Sequence, residues 1–334
     1  MSHKNQVFAY KPRAFYNLMD HVLKHGQRST PRGIGTTELI AAKMVLSNPV
    51  DRVVPHESRK MNIAFGIAEF IAIMTGIEDI GYFTQFIKEY DKFSSNGFTL
   101  DGAYGPRVVR ENGQNQIVQI IELLRKDPES RRALVVIYDW EDTFGGGGKN
   151  TPCTLNFQFL LRNNELDMIT TMRSNDVVRG VTYDVFVFTM VHEFVARQLG
   201  VKVGEYHHHA GSLHVYDTDL DLLTSQDRHH RWPRLMAEMP KIEVSDLELI
   251  ADVDLKDDEA YKAVRDAKSW SSGEARHYCL NLLNAQRAFV IRKQNNRKAR
   301  EITRLISDQT IKFVTYHWLG RGKSKKKSDA STVS

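Results

Sequence analysis

Cys153 follows Pro152 just after four consecutive glycines, Gly145 to Gly148, and opens an apolar stretch TLNFQFLL. A thiolate is a strong nucleophile, and nearby cations raise its reactive fraction. A lone cysteine is more often an inert core residue. Three further clusters reverse that reading: Arg131-Arg132, Arg173-Ser174-Asn175-Asp176 and His214-Val215-Tyr216. Taken singly, adjacent arginines are surface charge, RSND is a turn and HVY is an alternating strand. Together with a thiol they supply guanidinium forks, a hydroxyl and sugar-contacting groups, the inventory for a nucleoside monophosphate beside a nucleophile. Glu69 adds a carboxyl inside an otherwise apolar run, where a charge is costly unless it is paired or faces a polar cavity.

These residues need elements to hold them. Residues 12–26 have the pattern of an amphipathic helix that stops at Gly26, followed by a polar loop, QRSTPRGIGTTE, carrying Arg28 and Arg32. Residues 61–75, which contain Glu69, are apolar almost all round, as a buried helix is. Residues 117–126 predict a helix, and 133–138 (ALVVIY) a buried strand. Two strands at 154–161 and 166–172 are joined by the turn RNNE. Residues 184–199 predict a second buried helix ending at Gly200, and 205–216 a returning strand. Strands mixed with crossing apolar helices argue an α/β or α+β fold. Consecutive strand residues point to opposite faces, so His207, His208 and His209 cannot converge as a metal tripod. No metal is expected.

The last hundred residues differ. Residues 250–260 are acidic, and a helix predicted from Glu274 to about Ile306 turns strongly basic. Its cations suit either a polyanion or, more commonly, a solvated face. SKKKSDASTVS at the C-terminus has a disordered composition. Over 334 residues, 46 Lys and Arg against 41 Asp and Glu give a net charge of +5, too local an excess to indicate nucleic acid. An apolar fraction of 41% permits a sizeable core, so wholesale disorder is excluded. Two cysteines cannot build a disulfide framework or a four-thiolate zinc site. No apolar run is long enough for a membrane helix, and MSHKNQVFAYKPR lacks the pattern of a secretory signal. A soluble cytoplasmic protein is expected, in the host cytoplasm if the source is viral.

From TPCTLNFQFLLRNNELDMITTMRSNDVVRGVTYDVF to GSLHVY the chain resembles the heart of the thymidylate synthase family. SRR at 130–132, EFIAIMTG at 69–76 and AYG at 103–105 resemble three further family motifs, in the family's order. The resemblance covers about residues 10–220. It implies a mixed sheet packed with buried helices and a sheet-mediated homodimer, with residues 1–220 as catalytic core, 221–320 as a divergent helical extension of the same domain and 321–334 as a basic tail. It also implies 5,10-methylenetetrahydrofolate as co-substrate and a pyrimidine nucleoside monophosphate as substrate, without direct nucleic-acid or membrane binding. Carried over residue by residue, Cys153 attacks C6 of the pyrimidine while Glu69 organises water and relays protons, with Tyr104 beside them. Arg173, Ser174 and Arg32 hold phosphate, and Arg131 and Arg132 come from the partner chain. His214 and Tyr216 bind the sugar hydroxyl, and Asp176, Gly180 and Tyr90 face the folate.

The departures from the family pattern concern the base and the product. Asp184 stands where the family has an asparagine that reads the uracil imide. A protonated carboxyl donates to N3 of cytosine and accepts from N4, so the exchange is a physical route from uracil to cytosine. In this the chain resembles the phage deoxycytidylate hydroxymethylases, enzymes of DNA modification. The alternative is that Asp184 caps the apolar helix that follows it. Tyr90 and Phe93 stand where tryptophans usually shield the one-carbon intermediate, Thr154 and Met172 replace a histidine and a glutamine, and the usual apolar C-terminus is missing. Water adding to a less shielded intermediate gives a hydroxymethyl group. Thymidylate synthesis on dUMP, hydroxymethylation of CMP or dUMP, and a degenerate core presenting a nucleic-acid-binding helix are the alternatives.

Overall fold

The computed structural model describes residues 7–54, 56, 61–109, 113–144, 150–224 and 238–319. The glycine run at 145–148 and the C-terminal tail lie outside the described residues. Seven strands form one mixed sheet: β1 (Val7–Ala9), β2 (Gln27–Ser29), β3 (Thr36–Leu46), β4 (Leu134–Val136), β5 (Thr154–Arg162), β6 (Glu165–Asp176) and β7 (Lys202–Tyr216). Their order is β1-β3-β7-β6-β5-β4, with β2 paired to β3; β1–β3 and β6–β7 run parallel and the other pairs antiparallel. The helices are α1 (Phe15–His25), α2 (Ile63–Thr75), α3 (Ile80–Thr84), α4 (Gly105–Val108), α5 (Gln116–Lys126) and α6 (Gly180–Leu199), followed by α7 (Val244–Ala251), α8 (Asp258–Arg265), α9 (Gly273–Ile291), α10 (Asn296–Arg304) and α11 (Gln309–Leu319). No helix among the described residues is long and apolar enough to cross a membrane.

The core follows from two periodicities. Leu166, Met168, Thr170 and Met172 of β6 are buried on one face, as a period of two requires. Helices α1 and α6 cover that face, and α2 packs on α6, α7 and α9. Helices α2 and α6 are apolar nearly all round because each is buried on nearly every side. Leu247 and Ile250 of α7 and Leu282 and Leu283 of α9 join the same apolar core as α2. On the opposite face of the sheet Lys43, Val45, Ile169, Thr171, His207 and His209 remain half-buried, and Leu134 and Val136 are each 41% exposed.

Irregularities in neighbouring strands fall along one line across the sheet. Leu155 is an extra residue on β5 between the paired Thr154 and Asn156. On β3, Ala41 adopts φ +55, opposite Gly211 of β7. A Cβ on Gly211 would come within 2.7 Å of the Arg173 carbonyl on β6, so only glycine lets the two backbones approach there. Bulges re-aim the residues around them. Cys153, the segment from Arg173 to Asp176, the segment from Ser212 to Tyr216 and the start of β3 all lie at this line or beyond it, at one end of the sheet.

Four expectations need correction. The buried strand expected over 133–138 is β4, Leu134–Val136, and it is buried on one face only. The second buried helix begins at Gly180 rather than 184. The stretch after the QRSTPRGIG loop is an eleven-residue central strand, β3, that the polar reading missed. The long basic helix is two helices: α9 is buried almost throughout and ends at Ile291, and Asn295 caps a short basic α10 by accepting from the Lys298 amide.

Candidate active site

A cavity of about 1100 Å³ opens at this end of the sheet. Arg32, Glu69, Tyr90, Tyr104, Cys153, Arg173, Ser174, Asp176, Gly180, Asp184, His214 and Tyr216 all line it. They arrive from β6, β7, α2, α6 and four connecting segments, Cys153 from the one that leads into β5. Arg131 and Arg132 do not: both are exposed on the segment leading into β4, where the Arg131 carbonyl accepts from Gln158 Nε2 at 3.1 Å.

Cys153 is half-buried on the cavity wall. Arg173 fastens the backbone just before it, with Nε donating to the Pro152 carbonyl at 2.9 Å and Nη2 to the Thr151 carbonyl at 3.0 Å. Burial pushes the Cys153 thiol up; Arg173 and then Arg32 pull it back, and Asp184 opposes them. Arg32 holds a left-handed backbone, φ 54, an uncommon conformation for a side-chain-bearing residue and one that clusters at functional sites. Arg28 is engaged elsewhere, gripping Asp217 with both guanidinium nitrogens at 2.6 and 2.7 Å. Of the two loop arginines, Arg32 is the one at the cavity.

Glu69 sits on the cavity side of α2 and accepts from the Tyr90 hydroxyl at 3.3 Å. Burial, and after it the charge of Asp184, pushes its carboxyl well above the usual range. Burial thus favours the protonated form, which can give its proton to a reacting base. The Tyr104 hydroxyl accepts from the Thr154 amide at 3.3 Å and from its Oγ1 at 3.1 Å, so it stands over the residue after the thiol. The rings of His214 and Tyr216 meet edge to face with centroids 5.0 Å apart.

Asp176 spends Oδ1 on the amides of Val178 and Arg179, at 2.7 and 3.2 Å, and so turns the chain into α6. A Cβ on Gly180 would lie 2.0 Å from Asn175 Oδ1, which explains glycine at the first position of α6. Asp184 therefore lies more than a turn inside the helix and is no N-cap, which removes the capping alternative. Its half-buried carboxyl faces the cavity and is pushed up to about 7, chiefly by burial and then by Asp176. It titrates where solution conditions can tip it.

Several cavity residues escaped the sequence. Glu38, Ser212 and Arg179 line the cavity, Ser212 donating to Glu38 at 2.5 Å and Arg179 to Asp219 at 3.1 Å. Glu38 lies on the strand that was missed. Arg179 adjoins Gly180 and could have been read with it. Ser212 carries no signal apart from its place two residues before His214.

A thymidylate synthase family model matches residues 13–268. The deoxyuridylate hydroxymethyltransferase of Bacillus phage SP01 is 31% identical over 230 residues, 65% of this chain and 60% of that protein. The deoxyuridylate hydroxymethyltransferase of Pseudomonas phage M6 is 29% identical over 212 residues, 63% of this chain and 60% of its own. The thymidylate synthase of Francisella philomiragia is 24% identical over 230 residues, 64% of this chain and 83% of its own. The chain thus spans about 60% of the length of the phage relatives it matches.

Proposed function

The chain belongs to the thymidylate synthase family, and from that premise we propose that it transfers a one-carbon unit from 5,10-methylenetetrahydrofolate to C5 of a cytidine nucleotide, with dCMP preferred and 5-hydroxymethyl-dCMP as product. The observation that carries the choice of base is the Asp184 carboxyl, which faces the same cavity as Cys153 and titrates near neutrality. In its protonated form it donates to N3 of cytosine and accepts from the N4 amine. An asparagine at the same place serves uracil instead. The phage deoxyuridylate hydroxymethyltransferases to which the chain is similar favour the second reading, hydroxymethylation of dUMP.

The residues perform the steps as follows. Arg173, Ser174 and Arg32 hold the phosphate, and His214 and Tyr216 the sugar hydroxyl. Binding energy spent on those groups places C6 of the base over the Cys153 sulfur. Sulfur adds to C6, and the electron pair of the C5–C6 bond makes C5 the nucleophile. Folate, when bound, supplies the one-carbon unit that C5 accepts. The cavity exceeds the ordinary range of about 300–1,000 Å³ for one small ligand, and Asp176, Gly180, Tyr90 and the apolar side chains of Ile73, Phe83 and Leu100 line it, which fits a second, larger partner. Phe93, 40% exposed, and Tyr90 leave the one-carbon centre open to water. C5 gives up its proton as tetrahydrofolate leaves, the water that Glu69 orders adds to the resulting exocyclic methylene and loses a proton through Glu69, and the electron pair restores C5–C6 as the Cys153 sulfur leaves.

The half-buried second face of the sheet supports a homodimer, and Arg131 and Arg132, exposed and away from their own chain's cavity, suit donation to the partner's phosphate site. The test is incubation with the folate and each of dCMP, CMP and dUMP, followed by mass spectrometry. Hydroxymethyl-dCMP as the main product supports the reading; conversion of dUMP alone refutes it.

A further inference from the structure

Two paired strands bring to the cavity a carboxyl that the proposed reaction leaves unused. Thr36 and Glu38 of β3, and Ser212, His214 and Tyr216 of β7, line the cavity. Their alternation is the strand period of two: Leu39, Leu213 and Val215, which fall between them, are buried on the other face. In the antiparallel register Thr36 stands opposite Tyr216, and Glu38 opposite His214. Side chains directly opposite in such a pair share a face, with Cβ atoms about 4.5–5.5 Å apart. Glu38 therefore adjoins the two groups assigned to the sugar hydroxyl.

The hydrogen bonding at this place presents acceptors only. Ser212 Oγ donates to Oε2 of Glu38 at 2.5 Å. The one hydroxyl proton of Ser212 is thereby spent, and the pair turns oxygen lone pairs toward the cavity. Thr36 Oγ1 is taken up with Ser29. Arg28, opposite Thr37 on β2, grips Asp217 instead, and no cation among the described residues pairs with Glu38. A half-buried carboxylate served by one donor is costly until a second reaches it. A nucleotide phosphate cannot be that donor, since it carries acceptors and the same sign of charge. A sugar hydroxyl can. In a 5′-monophosphate of deoxyribose the free sugar hydroxyl is the one at 3′.

We propose that Glu38, held by Ser212, accepts from the 3′-hydroxyl of the nucleotide sugar and, with His214 and Tyr216, determines which sugars the cavity takes. The proposal rests on the reading of this cavity as a nucleotide site with His214 at the sugar, and not on the choice between cytosine and uracil. Hydrogen bonds to a carboxylate are stronger than those between neutral groups. A nucleotide without the hydroxyl loses that bond and leaves the carboxylate covered and unserved. The sugar takes no part in the bond changes at C5 and C6, so the bond is made equally before and during reaction, and its loss raises KM rather than lowering kcat.

The experiment uses the full-length wild type, Glu38→Gln, Glu38→Ala and Ser212→Ala, each with a thermal unfolding curve. It measures kcat and KM on dCMP, dUMP and CMP, and equilibrium binding of dCMP and dUMP beside their 2′,3′-dideoxy counterparts, which lack the hydroxyl. The wild type is expected to bind the deoxynucleotide roughly tenfold or more tightly than its dideoxy counterpart. In Glu38→Ala the KM for the deoxynucleotide rises roughly tenfold, the worth of a hydrogen bond to a charged group, while binding of the dideoxy nucleotide barely moves. Glu38→Gln keeps an acceptor without the charge and loses less. Ser212→Ala frees the carboxylate to rotate and shows the same pattern at smaller size. Equal losses on deoxy and dideoxy nucleotides, or no loss in Glu38→Ala, overturn the proposal. A loss confined to CMP would put Glu38 at the 2′-hydroxyl and overturn the assignment to 3′. If Glu38→Ala does not fold, Glu38→Gln decides on the same comparison. A wild type that uses dUMP and not dCMP refutes the cytidylate reading alone, and the sugar comparison is then read on the uridine pair. A wild type that binds no pyrimidine nucleotide refutes the reading of the cavity and this inference with it.

Discussion

Nε of Arg173 donates to the Pro152 carbonyl at 2.9 Å, tying the end of β6 to the residue before Cys153. One guanidinium thus fixes the backbone at Cys153 and draws its thiol toward ionisation. Arg173→Lys keeps the charge but cannot span the Pro152 and Thr151 carbonyls as a planar fork does. Loss of charge-assisted hydrogen bonds costs about 1.5–3 kcal/mol, so kcat/KM is expected to fall roughly ten- to a hundredfold at ~1.4 kcal/mol per decade. The rate of Cys153 alkylation should fall with it. Unchanged kinetics and alkylation would show that Arg173 serves neither role.

Cys153→Ser should abolish turnover while nucleotide binding persists, because a hydroxyl is far less nucleophilic than a thiolate at neutral pH. Equilibrium binding of dCMP alongside a product assay separates the two effects. Substantial residual turnover removes Cys153 from the mechanism.

Asp184→Asn changes stability with a definite sign. The folded carboxyl titrates at about 7, above its value in an unfolded chain. The folded state therefore binds the proton more tightly, and the stability this contributes is present at low pH and lost as pH rises through the window ending near 7. Replacement by the neutral amide should raise Tm more at pH 8 than at pH 5. Equal shifts at both pH values would mean that the carboxyl does not titrate in that window. The same variant should lower the dCMP-to-dUMP efficiency ratio by about ten- to a hundredfold, the consequence of roughly 1–3 kcal/mol for a mismatched buried group.

Mixed dimers test the placement of Arg131 and Arg132. An inactive Cys153→Ser chain and an inactive Arg132→Ala chain, refolded together, should regain part of the wild-type activity through heterodimers with one intact site. A monomeric protein with full activity contradicts shared sites.

The site was more legible than its scaffold. Cys153, the Arg173-Ser174-Asn175-Asp176 run and the His214-Val215-Tyr216 run announce themselves by residue type, and the structure draws them to one cavity. Strand β3 did not, because TTELIAAKMVL mixes β-branched residues with helix formers and the Ala41 kink breaks its alternation. The Asn175–His208 contact joins residues 33 apart through a parallel strand pair, and nothing in local pattern signals it. Arg292 to Arg304 looked continuous with the helix before it because charge carries no mark of the break that the Asn295 cap makes.

On the proposed function, this cavity adds a hydroxymethyl group to cytosine. The most direct test is incubation of the purified protein with dCMP and 5,10-methylenetetrahydrofolate in oxygen-18 water, with mass spectrometry of the nucleotide and absorbance for dihydrofolate. The expected result is dCMP heavier by one CH2O whose oxygen comes from the labelled water, without dihydrofolate. A methylated nucleotide with stoichiometric dihydrofolate, or untouched dCMP where dUMP is converted, would contradict it.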